Sequence, residues 1–323
     1  MKKLLTILIL SALFIASTTE ACDFCLLSQG ISPLETISGN GGIRINQRYT
    51  LLNTVYSGTK EVSLATHPKE EYWTTEITGF YSISEGFMLL AILPLRKNTL
   101  DGHLHVHSDG DIEVHTDMKG DITGTGDVAL LGRYTFLKTH TIDTTTAVAA
   151  LFGVKLPTGR TDGKTSDGAN FLDAHLQLGT GSTDFFLGLS FNHAIQKFSI
   201  SANVLDAIHT EGKAGDRTYQ FGNILNYDAT GKYRIYPALF DPEKNQCFLA
   251  FGMNGELKDK EKEDGITITN SGGHTIYLTP GVQVVMAPHW VVEASYFYAI
   301  YHDLYETQTG ENYKVSGGLT YLF

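Results

Sequence analysis

The amino-acid sequence predicts an all-β fold: a transmembrane antiparallel up-and-down β-barrel of about 12 strands in a bacterial outer membrane, after a cleaved signal peptide. Three observations predict it. Apolar and polar residues alternate along many strand-length segments, 33 Gly, 17 Phe and 16 Tyr accompany only 8 Pro, and the final strand ends on an aromatic residue. Such a sheet must close, because lipid offers no hydrogen bonds to an open edge.

The first 21 residues have the layout of a secretory signal peptide and are left out of the fold. Lys2 and Lys3 give a positive start, and the apolar stretch 4–16 is too short to span a membrane. Small and polar residues follow up to Ala21. Cleavage there would leave Cys22 at the mature N terminus, and lipoprotein processing before this cysteine stays open as an alternative.

The C-terminal strand shows the alternation most clearly. Tyr313, Val315 and Leu319 lie on one face, which suits lipid, whereas Lys314 and Thr320 lie on the other, which suits a mostly polar lumen. A period of two residues is the pattern expected of a strand that separates two environments.

The same alternation places twelve strands, with ten or fourteen as alternatives. They span 42–53, 71–83, 87–97, 126–138, 144–156, 183–194, 197–207, 217–235, 246–257, 273–286, 289–302 and 312–323. In the segment 217–235 the pattern assigns Tyr219 and Phe221 to the lipid face. With a periplasmic N-terminal segment, 22–41, the short connections lie in the periplasm and the long ones outside, an asymmetry typical of outer-membrane barrels.

Charged residues at the polar positions of these strands are predicted to line the lumen. They are Arg44, Arg48, Glu76, Arg96, Arg133, Lys155, Asp228, Lys232, Arg234, Glu293 and Lys314. Charges of both signs could neutralise one another in a filled barrel or line a narrow solute path, since twelve strands lie between the filled and the open sizes. This set leans basic, which favours anionic or neutral solutes.

The loop 98–125 carries the sharpest local pattern. Every odd position from 101 to 117 is Asp, His or Glu, and a turn at 108–110 would make this loop a hairpin. Its register would pair His103 with His115, His105 with Glu113 and His107 with Asp111. The metal-ligating residues on its polar face are then His103, His105, His107, Asp111, Glu113 and His115. Imidazole and carboxylate groups suit Zn, Cu or Ni, so the loop is a candidate site for a divalent transition metal. A solvated amphipathic hairpin is the alternative.

The cysteines, the Asn-His pair and the net charge bear on functions other than transport. Cys22 and Cys25 could form a local disulfide, with a redox or metal-transferring role as the alternative, but Leu26 excludes a haem-attachment motif. Asn192 and His193 have no convincing serine beside them, so we predict that the protein is not an enzyme. The net charge of −11 argues against nucleic acid as a partner.

Two passages resemble known proteins. Residues 316–323 look like the C-terminal signal that the barrel-assembly machinery reads, with Leu319, Tyr321 and Phe323 as its recognition residues. Residues 153–162, Gly-Val-Lys-Leu-Pro-Thr-Gly-Arg-Thr-Asp, and 176–184, Leu-Gln-Leu-Gly-Thr-Gly-Ser-Thr-Asp, resemble the outer-membrane transporter family linked to meta-pathway phenol degradation.

The resemblance implies an outer-membrane channel or transporter-like barrel for small solutes, often aromatic or apolar. Its expected partners are outer-membrane lipid, the assembly machinery and a small-molecule solute, and no cofactor is required. The alternative is a non-conducting barrel whose His- and Asp-rich outer loop binds metal or a partner.

Overall fold

The computed structural model describes residues 41–106, 112–239, 241, 243–286 and 288–323. Their regular elements are seventeen strands and a short 3-10 helix. The strands are β1 (Gly41–Gly58), β2 (Lys60–Val62), β3 (Lys69–Ser84), β4 (Phe87–Val106), β5 (Ile112–Thr125), β6 (Val128–His140), β7 (Thr144–Leu156), β8 (Asp184–Ile195), β9 (Phe198–Ile208), β10 (Gly212–Ala214), β11 (Arg217–Gln220), β12 (Ile224–Tyr236), β13 (Gln246–Lys258), β14 (Lys262–Glu263), β15 (Ile266–Thr267), β16 (Gly273–Met286) and β17 (Trp290–Leu322).

Eleven of these strands form a closed antiparallel ring in the order β1-β3-β4-β6-β7-β8-β9-β12-β13-β16-β17, and β17 pairs with β1 to close it. β17 folds back on itself, because residues 290–304 pair with β16 whereas residues 304–322 pair with β1. The backbone N–H of Leu322 donates to the carbonyl of His289 (2.8 Å), so the two ends of β17 lie side by side. Its two arms make the number of wall crossings twelve, as predicted.

The two faces of the wall have the predicted register. On the outer face the apolar side chains are open to lipid: Leu130 is 46% exposed, and Leu187 and Phe251 are each 61% exposed. The neighbouring residues on the inner face, such as Leu131 and Phe186, are buried. This alternation places an apolar surface against lipid and leaves the closed ring without an unpaired edge.

The predicted strand bounds agree with the observed ones within a few residues, except in three places. β4 and β5 extend the wall as one long hairpin, where only a small hairpin within the loop 98–125 was predicted. The predicted break at 303–311 is absent, since β17 runs through it. The predicted strand 217–235 is wrong in its first part, because β11 leaves the wall and joins a small sheet with β10, β14 and β15.

Tyr219 and Phe221 are therefore not on the lipid face, which corrects the prediction. Each is only 2% exposed and packs among loop residues over the lumen. The segment 157–183 also folds inward and carries the 3-10 helix Ala174–Leu176, all of whose residues are buried. Among the described residues no helix is long and apolar enough to cross a membrane.

Candidate solute path

A cavity of about 480 Å³ lies at the long-loop end of the barrel. Leu100, Phe171 and Leu172 supply apolar parts of its wall, and Ala174 and Tyr219 lie at its inner side. Four charged residues also line it: Asp173, Asp216, Arg217 and Glu263. Its volume falls in the range of pockets that hold small organic ligands. We call it the mouth cavity.

The inner face of the barrel carries an apolar stripe that the sequence analysis missed. The stripe consists of buried side chains from β3, β4, β6, β7, β8 and β9: Phe80, Leu90, Ile92, Ala129, Leu131, Leu151, Phe186, Leu205 and Ala207. Ala174 and Tyr219 pack in the same cluster and also line the mouth cavity. The cavity and the stripe are therefore continuous, and the stripe is closely packed.

The opposite side of the lumen is lined by charges that neutralise one another. Lys314 Nζ lies 2.7 Å from both Glu256 and Glu311, and Lys258 Nζ lies 3.2 Å from Glu256. Tyr277 also donates its hydroxyl to Glu311. This side of the lumen agrees with the alternative of a filled barrel, because an ion that entered here would have to displace ion pairs that are already formed.

All of the predicted lumen residues lie on the inner face. Arg44 forms an ion pair with Glu293, and Arg48 lies 3.6 Å from Glu76. Five further residues lie on the same face: Asp228 accepts from Asn203 (3.1 Å), Arg133 donates to Thr135 (2.9 Å), and Arg96, Lys232 and Arg234 are buried. Lys155 belongs to a separate cluster at the outer end of the wall.

This cluster joins the two family-like sequence passages. Lys155 Nζ lies 2.6 Å from Asp184 Oδ2 and 3.8 Å from Asp127. Asp127 in turn accepts the backbone N–H groups of Gly159 (2.8 Å) and Thr180 (2.7 Å). These contacts hold both ends of the segment 157–183 against the wall, so the passages have a structural role in placing this inward segment.

Two buried histidines pack near the ends of this segment: His175 lies within it, in the 3-10 helix, and His209 directly follows β9. His209 donates from Nδ1 to the carbonyl of Gly222 (2.8 Å) and faces Asp184 with Nε2 at 3.9 Å. Burial and the neighbouring Lys155 ammonium lower the pKa of His209 to about 4, although Asp184 acts in the other direction. His209 is therefore neutral at neutral pH.

The pKa of His175 is shifted in the opposite direction. Its Nε2 lies 2.8 Å from Glu261 Oε2, and the hydroxyl of Tyr219 donates to the same carboxylate. Burial by itself lowers the pKa of His175, but the charge of Glu261 and its hydrogen bond outweigh burial and raise it. This polar group joins the 3-10 helix to the small outer sheet.

The His-rich hairpin has the register that the sequence predicts. His103 pairs with His115, and His105 pairs with Glu113, across β4 and β5. His107 and Asp111 lie outside the described residues, as do the side chains of the other four predicted ligands. Within the side chains that are described, no group of three or more His, Cys, Asp or Glu could hold a metal ion.

The predicted signal peptide, Cys22 and Cys25 also lie outside the described residues. Cys247, in β13, is half-buried with a free thiol. The predicted C-terminal recognition residues are all on the outer wall, with Leu319 41%, Tyr321 38% and Phe323 55% exposed.

A closed antiparallel ring with an apolar outer wall and a polar and apolar lumen defines a transporter-like β-barrel of the bacterial outer membrane. Residues 71–317 match the family model described as "Putative MetA-pathway of phenol degradation", and the chain belongs to this family. No curated protein matches the sequence.

One solved structure agrees with this fold. The COG4313 outer membrane channel from Pseudomonas putida F1 superposes with a TM-score of 0.68 at 13% identity, over 91% of this chain and 99% of that one. A Pseudomonas aeruginosa FadL homologue is more distant, with a TM-score of 0.42 at 11% identity over 90% of this chain and 92% of its own. The toluene transporter TodX of P. putida has a TM-score of 0.42 at 9% identity over 95% of this chain and 96% of its own.

Proposed function

We propose that this barrel carries small, apolar, aromatic solutes across the outer membrane through the mouth cavity and along the apolar stripe. The observation that carries the proposal is the continuity between them: Ala174 and Tyr219 belong to both. A solute that leaves water at the cavity therefore meets an apolar surface on its way inward.

The energetics favour apolar solutes. Burying a ring the size of a Phe side chain yields roughly 1.5–3 kcal/mol, which is enough to draw a solute in and small enough to let it leave again. Because the stripe is closely packed, passage requires its side chains to move aside. The charged side of the lumen offers a passing ion little electrostatic attraction, since Lys314 and its two carboxylates already neutralise one another.

The comparisons support this proposal in two ways. The family description concerns phenol degradation, and the similar P. putida F1 structure is described as an outer membrane channel. An apolar stripe on the inner wall is the feature of this chain that an aromatic solute would use.

Two matched substitutions, each replacing an alanine of the wall by phenylalanine, test the path. Ala129 is fully buried on the stripe, whereas Ala91, its neighbour one strand away, is exposed on the lipid face. Uptake of radiolabelled toluene would be compared in cells that express the wild-type barrel, Ala129→Phe or Ala91→Phe, and in cells without it. We expect Ala129→Phe to reduce uptake and Ala91→Phe to leave it unchanged, at equal barrel levels.

Equal uptake with and without the barrel would overturn the proposal. Should Ala129→Phe fail to assemble, Ala207→Val offers a smaller blockage at another buried position of the stripe.

We also propose a second function for the His-rich hairpin: capture of a divalent transition metal. The observed register supports it, because His103 and His115 are directly paired and so are His105 and Glu113. Directly paired residues on one face have Cβ atoms about 4.5–5.5 Å apart, close enough for two imidazoles and a carboxylate to share an ion. This function would not need a conducting lumen.

A further inference from the structure

The charged lining of the mouth cavity is unbalanced. Arg217 forms an ion pair with Glu263, so its positive charge is already neutralised. Asp173 and Asp216 supply two further carboxylates to the same wall. One Asp173 oxygen accepts the backbone N–H of His175 (3.0 Å), which fixes the position of this carboxylate at the cavity. The lining is therefore acidic.

The groups around the cavity offset only part of this excess. Burial first, and then the charges of Asp173 and Asp264, raise the pKa of Glu263 in spite of the adjacent Arg217. Beneath the cavity, Glu261 is buried and already paired with His175 (2.8 Å), so it adds nothing to the excess. The ammonium of Lys164 lies 5.0 Å from the centroid of the Phe171 ring and offsets a single negative charge.

The apolar part of the lining determines the shape of a ligand that would fit the mouth cavity. Phe171 is 36% exposed, and the face of its ring already attracts one ammonium group. Leu100 and Leu172 extend the apolar wall beside it. A ligand that satisfies both parts has a small ring to lie against these side chains and a cation to approach the carboxylates.

We propose that the mouth cavity is a binding site for small aromatic amines in their protonated form, and that it rejects aromatic carboxylates. The cavity and its apolar wall supply the binding volume, while Asp173 and Asp216 supply the charge selection. The inference rests on the proposed function, because the same cavity is the entrance of the apolar path.

Three ligands with one ring and different charges test the inference: benzylamine, benzyl alcohol and benzoate. Their binding to the full barrel in lipid nanodiscs would be measured by calorimetric titration at neutral pH. We expect benzylamine to bind at least about tenfold more tightly than benzoate. Two carboxylates within several ångströms of the ligand attract the ammonium group of benzylamine and repel the carboxylate of benzoate. Benzyl alcohol should lie between them.

The double variant Asp173→Asn/Asp216→Asn should lose this order while it still binds benzyl alcohol. Asn at position 173 keeps an oxygen that can accept the His175 N–H. Asp143→Asn is the matched control, because Asp143 is an exposed residue in the short turn between β6 and β7, at the other end of the barrel. In the wild type, added salt should shrink the preference for benzylamine, which tests the charge effect even if the double variant does not fold.

Equal binding of the three ligands by the wild type, or no binding of any of them, would overturn the inference. The same holds if the double variant keeps the full preference. These outcomes are separate from the uptake experiment: toluene uptake with no charge preference leaves the transport proposal standing, and charge-selective binding without uptake overturns transport alone.

Discussion

Lys155 and Asp184 form a buried ion pair (2.6 Å) between the outer ends of β7 and β8. Their side chains are 1% and 0% exposed. Asp184 also accepts the hydroxyl of Ser182 (2.8 Å) and the backbone N–H of Thr210 (2.9 Å). The pair thus joins the barrel wall to the end of the inward segment 157–183 and to the loop after β9.

Removing the cation of this pair should destabilise the barrel. Lys155→Met leaves Asp184 and Asp127 buried without their ammonium, and breaking a buried pair in this way costs about 3–5 kcal/mol. Urea unfolding of the barrel in lipid vesicles would measure the loss. The control is Lys138→Met, at an exposed position of β6, which we expect to change stability little. A Lys155→Met barrel as stable as the control would contradict the assigned role.

Stability should fall in acid because of His209. Its pKa in the folded barrel is about 4, below the value of about 6.5 for the unfolded chain, so the unfolded state takes up a proton first. The resulting loss grows as pH falls from about 6.5 to about 4 and reaches about 3 kcal/mol, at 1.36 kcal/mol for each pKa unit.

Unfolding measured between pH 7 and pH 4 would check this slope against His209→Asn, which keeps a side-chain N–H donor near Gly222. The variant should lose less stability in acid than the wild type. His175 works in the opposite direction, since its raised pKa gives stability below about 6.5 that is lost as pH rises. Comparing the variant with the wild type cancels this contribution, and identical slopes would rule out the role of His209.

The lipid-facing register predicts where a charge is costly. Leu130 is 46% exposed on the outer wall of β6, so Leu130→Arg should cost roughly 2–4 kcal/mol if it lies near the midplane of the bilayer. Leu137 is equally exposed on the same strand but lies close to the short turn after it. Leu137→Arg should therefore cost only about 0–1 kcal/mol. Unfolding from vesicles compares the two, and equal costs would refute this placement of the membrane.

The C-terminal aromatic residues should be needed for membrane assembly. Phe323 donates its backbone N–H to the carbonyl of Gly41 (3.1 Å), beside the closing seam of β1 and β17. Deleting Phe323 should lower the amount of barrel in the outer membrane and leave periplasmic aggregates. Phe136→Ala, at an outward position of β6 that is 54% exposed, is the control for loss of an aromatic ring. Membrane fractions with normal amounts of the Phe323-deleted protein would disprove the assignment.

Metal binding by the hairpin should depend on its histidines and on pH. Calorimetric titration of Zn²⁺, Cu²⁺ and Ni²⁺ would compare the wild type with a variant in which His103, His105, His107 and His115 are changed to Ala. We expect binding in the wild type that weakens below about pH 6.5, because neutral imidazole is the ligand. Weak binding of the same strength by both proteins would mean that the hairpin is only a solvated structure.

The sequence by itself determined the barrel and, outside the segment 217–221, which side chains face lipid. Residues on the two faces of a strand alternate, so the exposed Leu130 and the buried Leu131 follow from neighbouring positions once one face must meet lipid. The register of the His-rich hairpin followed in the same way, because its turn and its alternation allowed His103 to meet His115. These features are local, and a pattern of period two records them.

Only the tertiary structure decided what fills the lumen. Tyr219 has the alternation of a wall strand, yet β11 leaves the wall, and its ring packs over the lumen against Phe221 at a centroid distance of 4.9 Å. The ion pair of Lys155 with Asp184 joins residues 29 positions apart in the sequence. Alternation assigns a side chain to a face but does not say which distant segment packs against that face. Partner choice across the lumen depends on loop closure and burial, and these arise only when the whole chain is folded.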